Sequence, residues 1–155
     1  MPVVVVDASV VVAGLVDSGP DGQWAERVFA SGALAAPHLL PAEVANVLRR
    51  AALAGKISAD AATLAHADLQ ALRVDLFPYE PLAGRIWELR GHVTCYDAWY
   101  VALAEYLGCP LITLDGRLAR SPGLKCQIQL PASAAPSPPL ASFQAPRPSA
   151  RGSLE

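Results

Sequence analysis

The sequence is poor in the features that most often announce a function. Its three cysteines, Cys95, Cys109 and Cys126, form no CxxC pair, and their odd number leaves at least one thiol over. A disulfide scaffold and a zinc knuckle are both poor readings of that pattern, and the thiols fit better as small apolar residues in a reducing compartment. His38, His66 and His92 sit in separate segments with no HxH or HExxH spacing, so they form no zinc motif. There is no GxGxxG and no Walker loop to cradle a nucleotide cofactor. Aromatic residues make up only 6% of the chain, too few for a base-stacking sheet surface. Trp99, Tyr100 and Tyr106 fall on and around one apolar helix and read as core or dimer contacts.

Long apolar runs are missing too. Val3 to Val16 is the longest candidate, at 14 residues, and it carries Asp7 in its middle. A membrane span needs ~18–20 residues, and no basic segment precedes this one as an export signal would require. It reads as a buried strand with further structure attached, in a cytoplasmic protein. Basic charge is also scarce: 12 Lys+Arg face 14 Asp+Glu, a net charge of −2. That argues against a protein that coats polyanions through a diffuse basic surface.

What is present is enough for one domain. At 53% hydrophobic residues the 155-residue chain can bury a core without help from disulfides or metal. Composition changes at Pro131: residues 132–155 hold six Ala, five Ser and five Pro, and few large apolar side chains. Such a segment cannot bury enough surface to offset its ordering entropy, so a disordered tail is expected over 132–155. The folded unit is expected over residues 1–131, with no internal repeat.

Within it, apolar strands alternate with helical patterns. Strands are expected at Val3–Val6, Val74–Phe77, Pro110–Leu114 and Lys125–Leu130, with a short extended piece at Pro37–Leu40. Helices are expected at Gln23–Ala30, at Ala42–Ala54 (started by Pro41 and ended by Gly55), at Leu82–Arg90 and at Cys95–Leu107, which Gly108 stops. Ser58 can cap a further helix in which Ala61, Ala65, Leu69 and Leu72 share a face. The alternation predicts an α/β fold with a parallel sheet and helices on both faces.

The acids fall in telling places. Asp7 directly follows the first strand and Asp115 follows Pro110–Leu114, at the edge where open α/β sheets bind ligands. Glu43 and Asp97 each interrupt the first turn of an otherwise apolar helix. Each alone has an ordinary explanation, as a helix-dipole partner or a turn starter. Together they occupy the most hydrophobic segments of the chain, and acids are rarely buried unless paired. Two carboxylates ~4 Å apart repel by about 4 kcal/mol at an effective dielectric of ~20, and several such pairs would rival a folding stability of ~5–15 kcal/mol. A converged quartet must therefore hold protons at raised pKa or bind cations. Oxygen ligands without His or Cys suit Mg²⁺ or Mn²⁺, which can activate water against a phosphodiester.

Val5-Val6-Asp7-Ala8-Ser9-Val10 and Pro41-Ala42-Glu43-Val44-Ala45-Asn46-Val47-Leu48 resemble the first two acidic motifs of the PIN-domain ribonucleases. The run from Tyr96 and Asp97 to Ala104, and Leu111-Ile112-Thr113-Leu114-Asp115, resemble the third and fourth. Order, size and the spacings of 36, 54 and 18 residues are similar to those of VapC-type toxins of bacterial toxin–antitoxin pairs. The resemblance implies a three-layer α/β/α PIN-like domain over residues 1–131, with a central parallel sheet of four or five strands. It implies that Asp7, Glu43, Asp97 and Asp115 bind Mg²⁺ or Mn²⁺ and hydrolyse RNA to 5′-phosphate and 3′-hydroxyl ends. Ser9 and Thr113 match small polar positions beside the acids, and Asn46 a polar position one turn after Glu43. Arg50, one turn further along that face, is either a phosphate contact or a solvated helix residue. Gly116 stands where relatives often carry a basic residue. The implied partners are a structured RNA, a small VapB-like antitoxin that covers the site with an Arg-bearing segment, and a second copy in a homodimer.

Three other readings are weaker. A haloacid-dehalogenase-type phosphatase needs an acid two residues after its nucleophilic Asp, where Ser9 stands. A response-regulator receiver needs a Lys after a later strand, and the only lysines are Lys56 and Lys125. A catalytically silent PIN fold serving as a protein- or RNA-binding module would be expected to have lost carboxylates. The acidity itself no longer opposes a nuclease. With the four candidate ligands set aside, residues 1–131 hold ten basic and nine acidic side chains.

Overall fold

The computed structural model describes residues 2–132. Four successive valines, Val3–Val6, form strand β1, which runs in the middle of the sheet with Val5 and Val6 fully buried. The strand stops at Asp7, whose side chain accepts from the Val10 N–H and caps helix α1, Ala8–Val16. The apolar stretch expected as one strand with structure attached is thus a strand and a helix hinged at an aspartate. Val10 and Val11 are poor helix formers, and burial on several sides of α1 overrides both that propensity and any visible periodicity.

Helix α2, Pro20–Ser31, starts three residues earlier than expected because Pro20 occupies its first turn. Gly22 lets α2 approach the end of α1: a Cβ there would lie 1.7 Å from the Asp17 carbonyl oxygen. Strand β2 is Ala33–Pro37, upstream of the extended piece expected at Pro37–Leu40. Its alanines carry no strand propensity; pairing on both sides, with β1 and the following strand, makes it a strand. Helix α3, Leu40–Leu53, ends before Gly55, which adopts φ +71°. Helix α4, Ala59–Ala71, is capped by Ser58, which accepts from the Ala61 N–H at 3.0 Å.

Strand β3, Val74–Phe77, lies where expected. A 3₁₀ turn at Glu80–Leu82 leads into α5, Ala83–Leu89, so the helix expected over Leu82–Arg90 is shorter and has a tighter start. Helix α6, Cys95–Leu107, matches its expected bounds, with Thr94 as its N-cap and Gly108 closing it at φ +65°. Strands β4, Leu111–Ile112, and β5, Ile128–Gln129, are the centres of longer expected strands. Between them Asp115 caps a four-residue helix, α7 (Gly116–Ala119), too short to leave a periodic signal.

All five strands are parallel in the order β3-β2-β1-β4-β5. Helices α1, α3 and α4 pack together, whereas α6 lies along β1, β2 and β4 with α5 against it. Right-handed crossovers that first run outward through β2 and β3 and then return beyond β1 place these groups on opposite faces. The fold is α/β with helices flanking a five-stranded sheet. The order in which strands are added to the sheet reverses between β1 and β4, which makes the carboxyl ends of those strands the topological switch point. Among the described residues no helix is long and apolar enough to cross a membrane. The tail expected over 132–155 lies, from residue 133 on, outside the described residues.

Candidate functional site

Asp7 and Thr113 leave the sheet side by side, because β1 and β4 pair Val6 with Ile112 and the Asp7 N–H donates to the Ile112 carbonyl at 3.3 Å. The Ser9 hydroxyl donates to Asp7 Oδ1 at 2.6 Å, and the Thr113 hydroxyl donates to Asp7 Oδ2. Both hydroxyls also accept: Ser9 from the Leu114 N–H at 3.1 Å, Thr113 from the Asp115 N–H at 3.0 Å. One carboxylate, two hydroxyls and two backbone amides therefore tie the end of β1 to the end of β4. Thr113 is fully buried, so this network is shielded from competing water.

Glu43 enters from the first turn of α3 and Asp97 from the first turn of α6. Burial pushes the Asp7 carboxyl above the ordinary aspartate range, against the hydrogen bonds of Ser9, Thr113 and Val10, with the charge of Asp97 adding to the rise. Burial likewise raises Glu43, and the charges of Asp97 and Asp7 raise it further. Asp97 is raised by burial and by the charge of Asp115, against the Thr94 hydroxyl and the Arg117 charge. Elements on both faces of the sheet thus bring Asp7, Glu43 and Asp97 within each other's fields.

Asp115 behaves differently. It loses some solvation, but its bonds to Arg117 outweigh that and hold its carboxyl below the usual range. The Arg117 N–H donates to Asp115 Oδ1 at 2.9 Å, and the guanidinium donates to both carboxylate oxygens at 3.3 and 3.4 Å. The fourth acid is therefore held by a neighbour two residues on, one position past Gly116. Asn46 and Arg50 are exposed on α3 and make no side-chain hydrogen bond among the described residues. Nothing in the hydrogen bonding draws those two into the acid group.

Reading the sequence alone missed Tyr100. It lies on α6 one turn after Asp97, 2% exposed, with its hydroxyl beside Glu43 and in the fields of Asp7 and Asp97. No hydrogen bond of ordinary geometry joins the phenol to Glu43, and the Tyr100 hydroxyl and Glu43 Oε1 are buried polar atoms without partners among the described residues. The only signal available was a polar atom at an i+3 position from an acid, on a helix that otherwise reads as core. Arg117 was missed because its role depends on the cap of a four-residue helix. Tyr106, read as a core or dimer contact, is 69% exposed and so does not belong to this chain's core.

Among the described residues no three His, Cys, Asp or Glu side chains are already drawn together tightly enough to cage one ion. Asp7 is held by its hydroxyls and Asp115 by Arg117. The residues nevertheless fit a hard divalent cation. The donors are all carboxylate oxygens, three of them have raised pKa values, and Glu43 keeps a buried acceptor with no donor.

The PIN domain family model matches residues 4–124. The chain is 45% identical over 127 residues to Ribonuclease VapC1 of Mycobacterium tuberculosis, covering 81% of this chain and 96% of that one. It is 41% identical over 125 residues to Ribonuclease VapC9 of the same organism, covering 81% and 95%. Its fold is similar to the crystal structure of PAE2754 from Pyrobaculum aerophilum, with a TM-score of 0.61, 28% identity and coverage of 82% and 83%. The chain belongs to the PIN-domain family and, within it, to the VapC-type ribonucleases, the toxin class of VapBC toxin–antitoxin pairs.

Proposed function

We propose that this chain is a Mg²⁺- or Mn²⁺-dependent endoribonuclease that cuts single-stranded or loop regions of a structured RNA. The observation that carries this reading is the half-buried placement of Asp7, Glu43 and Asp97 at the end of β1 and in the first turns of α3 and α6, with Glu43 Oε1 buried and unpartnered. In this reading Asp7, Glu43 and Asp97 hold the metal, and Asp115 completes the set when its hold on Arg117 loosens. A bound divalent ion would supply an activated water and neutralise charge developing on the phosphodiester. Ser9 and Thr113 favour the ionised form of Asp7 and fix its direction by donating one hydroxyl to each carboxylate oxygen. Arg117, 86% exposed beside the site, is free on its outer side to meet an RNA phosphate. Asn46 and Arg50, exposed further along α3, are the other side chains that could meet RNA.

The catalytic domain spans residues 1–131 in this reading, with 132–155 outside it. VapBC membership supports a small VapB-like antitoxin as partner. An Arg-bearing segment of the antitoxin would match this acid group, because the guanidinium fork meets carboxylates bidentately. In this reading the chain works in the cytoplasm as a homodimer. The test is RNA cleavage with Mg²⁺ or Mn²⁺ by the wild type, Asp7→Asn and Asp97→Asn. The expected result is cleavage by the wild type alone, abolished by excess EDTA. Equal cleavage by all three, or full activity in EDTA, would refute the mechanism.

A further inference from the structure

Three carboxylates share the switch point, and two hydroxyls beside them, those of Ser9 and Thr113, both donate to Asp7. Thr94 serves as N-cap by accepting from the Asp97 N–H at 3.1 Å. The phenol of Tyr100 is unengaged. It is 2% exposed, its hydroxyl has no partner among the described residues, and Glu43, the first of the carboxylates whose charges act on it, has an orphaned Oε1. A buried O–H and a buried carboxylate oxygen left unpaired side by side each carry a desolvation cost. A packing role would be met as well by phenylalanine, which brings no such cost.

We infer that Tyr100 is the positioning residue for Glu43: its single O–H donates to the Glu43 carboxylate and so directs the other carboxylate oxygen toward the divalent ion. The inference rests on the metal-dependent reading above. It is not a catalytic role, because Tyr100 acts through Glu43 and touches neither ion nor RNA. The chemistry suits it. A phenol has one proton to give, so one Glu43 oxygen is engaged and the other stays available, and the fixed ring of a helix core removes the freedom of a three-torsion glutamate. Hydrogen-bond partners behind metal ligands typically change metal affinity or activity by ~10–100-fold when removed.

Tyr100→Phe deletes one oxygen and keeps the ring, and the experiment uses the full chain with Mn²⁺ as the probe. Isothermal titration calorimetry should show Mn²⁺ binding about tenfold weaker than for the wild type, on the scale of such partners. The metal-free melting temperature should change little, because the ring and its packing are kept. RNA cleavage should fall at low Mn²⁺ and recover as Mn²⁺ is raised. A Mn²⁺ affinity within about twofold of the wild type would overturn the positioning role, taking ~10-fold as the expected effect. A lowered metal-free melting temperature with unchanged metal affinity would overturn it in favour of plain packing. If wild type binds Mn²⁺ and Asp97→Asn does not, the metal reading stands whatever Tyr100→Phe does. If the wild type binds none, both fall together.

Discussion

The Ser9 hydroxyl donates to Asp7 Oδ1 at 2.6 Å while accepting from the Leu114 N–H at 3.1 Å, so one small side chain joins the acid on β1 to the backbone beyond β4. Thr113 repeats the device from the other side with the Asp115 N–H. The two hydroxyls together stop Asp7 from rotating and fix the start of the turn into α7. Thr113→Val keeps the shape and removes both bonds, leaving the Asp115 N–H and one Asp7 oxygen unpaired. The expected loss is about 2 kcal/mol of stability, read from urea unfolding, together with loss of RNA cleavage. Ser9→Ala should show the same two effects in weaker form, because Ser9 is less buried.

The acid group makes the metal-free protein sensitive to rising pH. Asp7, Glu43 and Asp97 all have folded pKa values above their ordinary ones, burial being the first cause in each case. A raised carboxyl pKa means the folded state binds the proton more tightly than the unfolded state. The stability it contributes is full below the unfolded pKa, about 4 for these residues, and is lost as pH rises through the folded values. In EDTA the melting temperature should therefore decline from weakly acid to neutral pH by way of these groups. Asp97→Asn should raise it at pH 7 and much less at pH 4.5. Mn²⁺ should stabilise the wild type more than the variant. A variant that melts no higher at pH 7 would show that Asp97 is structurally paired.

Much of this site was legible in the residues because acids in apolar segments are costly and so demand a reason. Asp7 marks the end of β1 and Asp115 the turn that follows β4, and Glu43 and Asp97 stand out against alanine and valine. Ser9 and Thr113 were visible as polar neighbours, although only the β1–β4 register shows that both reach the same carboxylate. The elements that escaped did so for separate physical reasons. Helix α1 is buried on several sides and built partly of valine, so neither periodicity nor propensity marks it. Strand β2 is alanine-rich and is made a strand by its neighbours. Tyr100 looks like a core aromatic until its hydroxyl is placed beside Glu43.

Glu105 on α6 fastens α5 and the approach to β5. Arg85 donates to its two oxygens at 2.7 and 3.1 Å and to the Gly123 carbonyl at 2.8 Å, and the Lys125 N–H donates to Glu105 Oε1 at 2.7 Å. Glu105 loses solvation, but these donors more than offset that and hold its carboxyl below the usual range. A depressed pKa gives the opposite linkage to the acid group: its stability is present above the unfolded pKa and is lost as pH falls through the folded one. Glu105→Gln should cost about 2 kcal/mol at pH 7 and nothing at a pH where the wild-type carboxyl is protonated. Cleavage at permissive temperature should be unaffected, because the pair lies away from the switch point. Equal unfolding midpoints for variant and wild type at pH 7 would refute the role assigned to this pair.

Arg117 holds Asp115 from the solvent side. Arg117→Ala should let the Asp115 carboxyl rise from below its ordinary range, since the arginine's hydrogen bonds and charge are what lower it. Asp97 should rise as well, having lost the one cation that lowers it. Carbon-detected NMR titration of the carboxyl groups reads both shifts directly. The metal-free melting temperature should change little, because Arg117 is largely exposed. If Arg117 also contacts a phosphate, binding of a labelled single-stranded RNA to a cleavage-dead Asp97→Asn protein should weaken. The slope of that binding against salt should fall by about 0.7, the share of one phosphate contact on a single strand. An unchanged slope would confine Arg117 to its part as the counter-ion of Asp115.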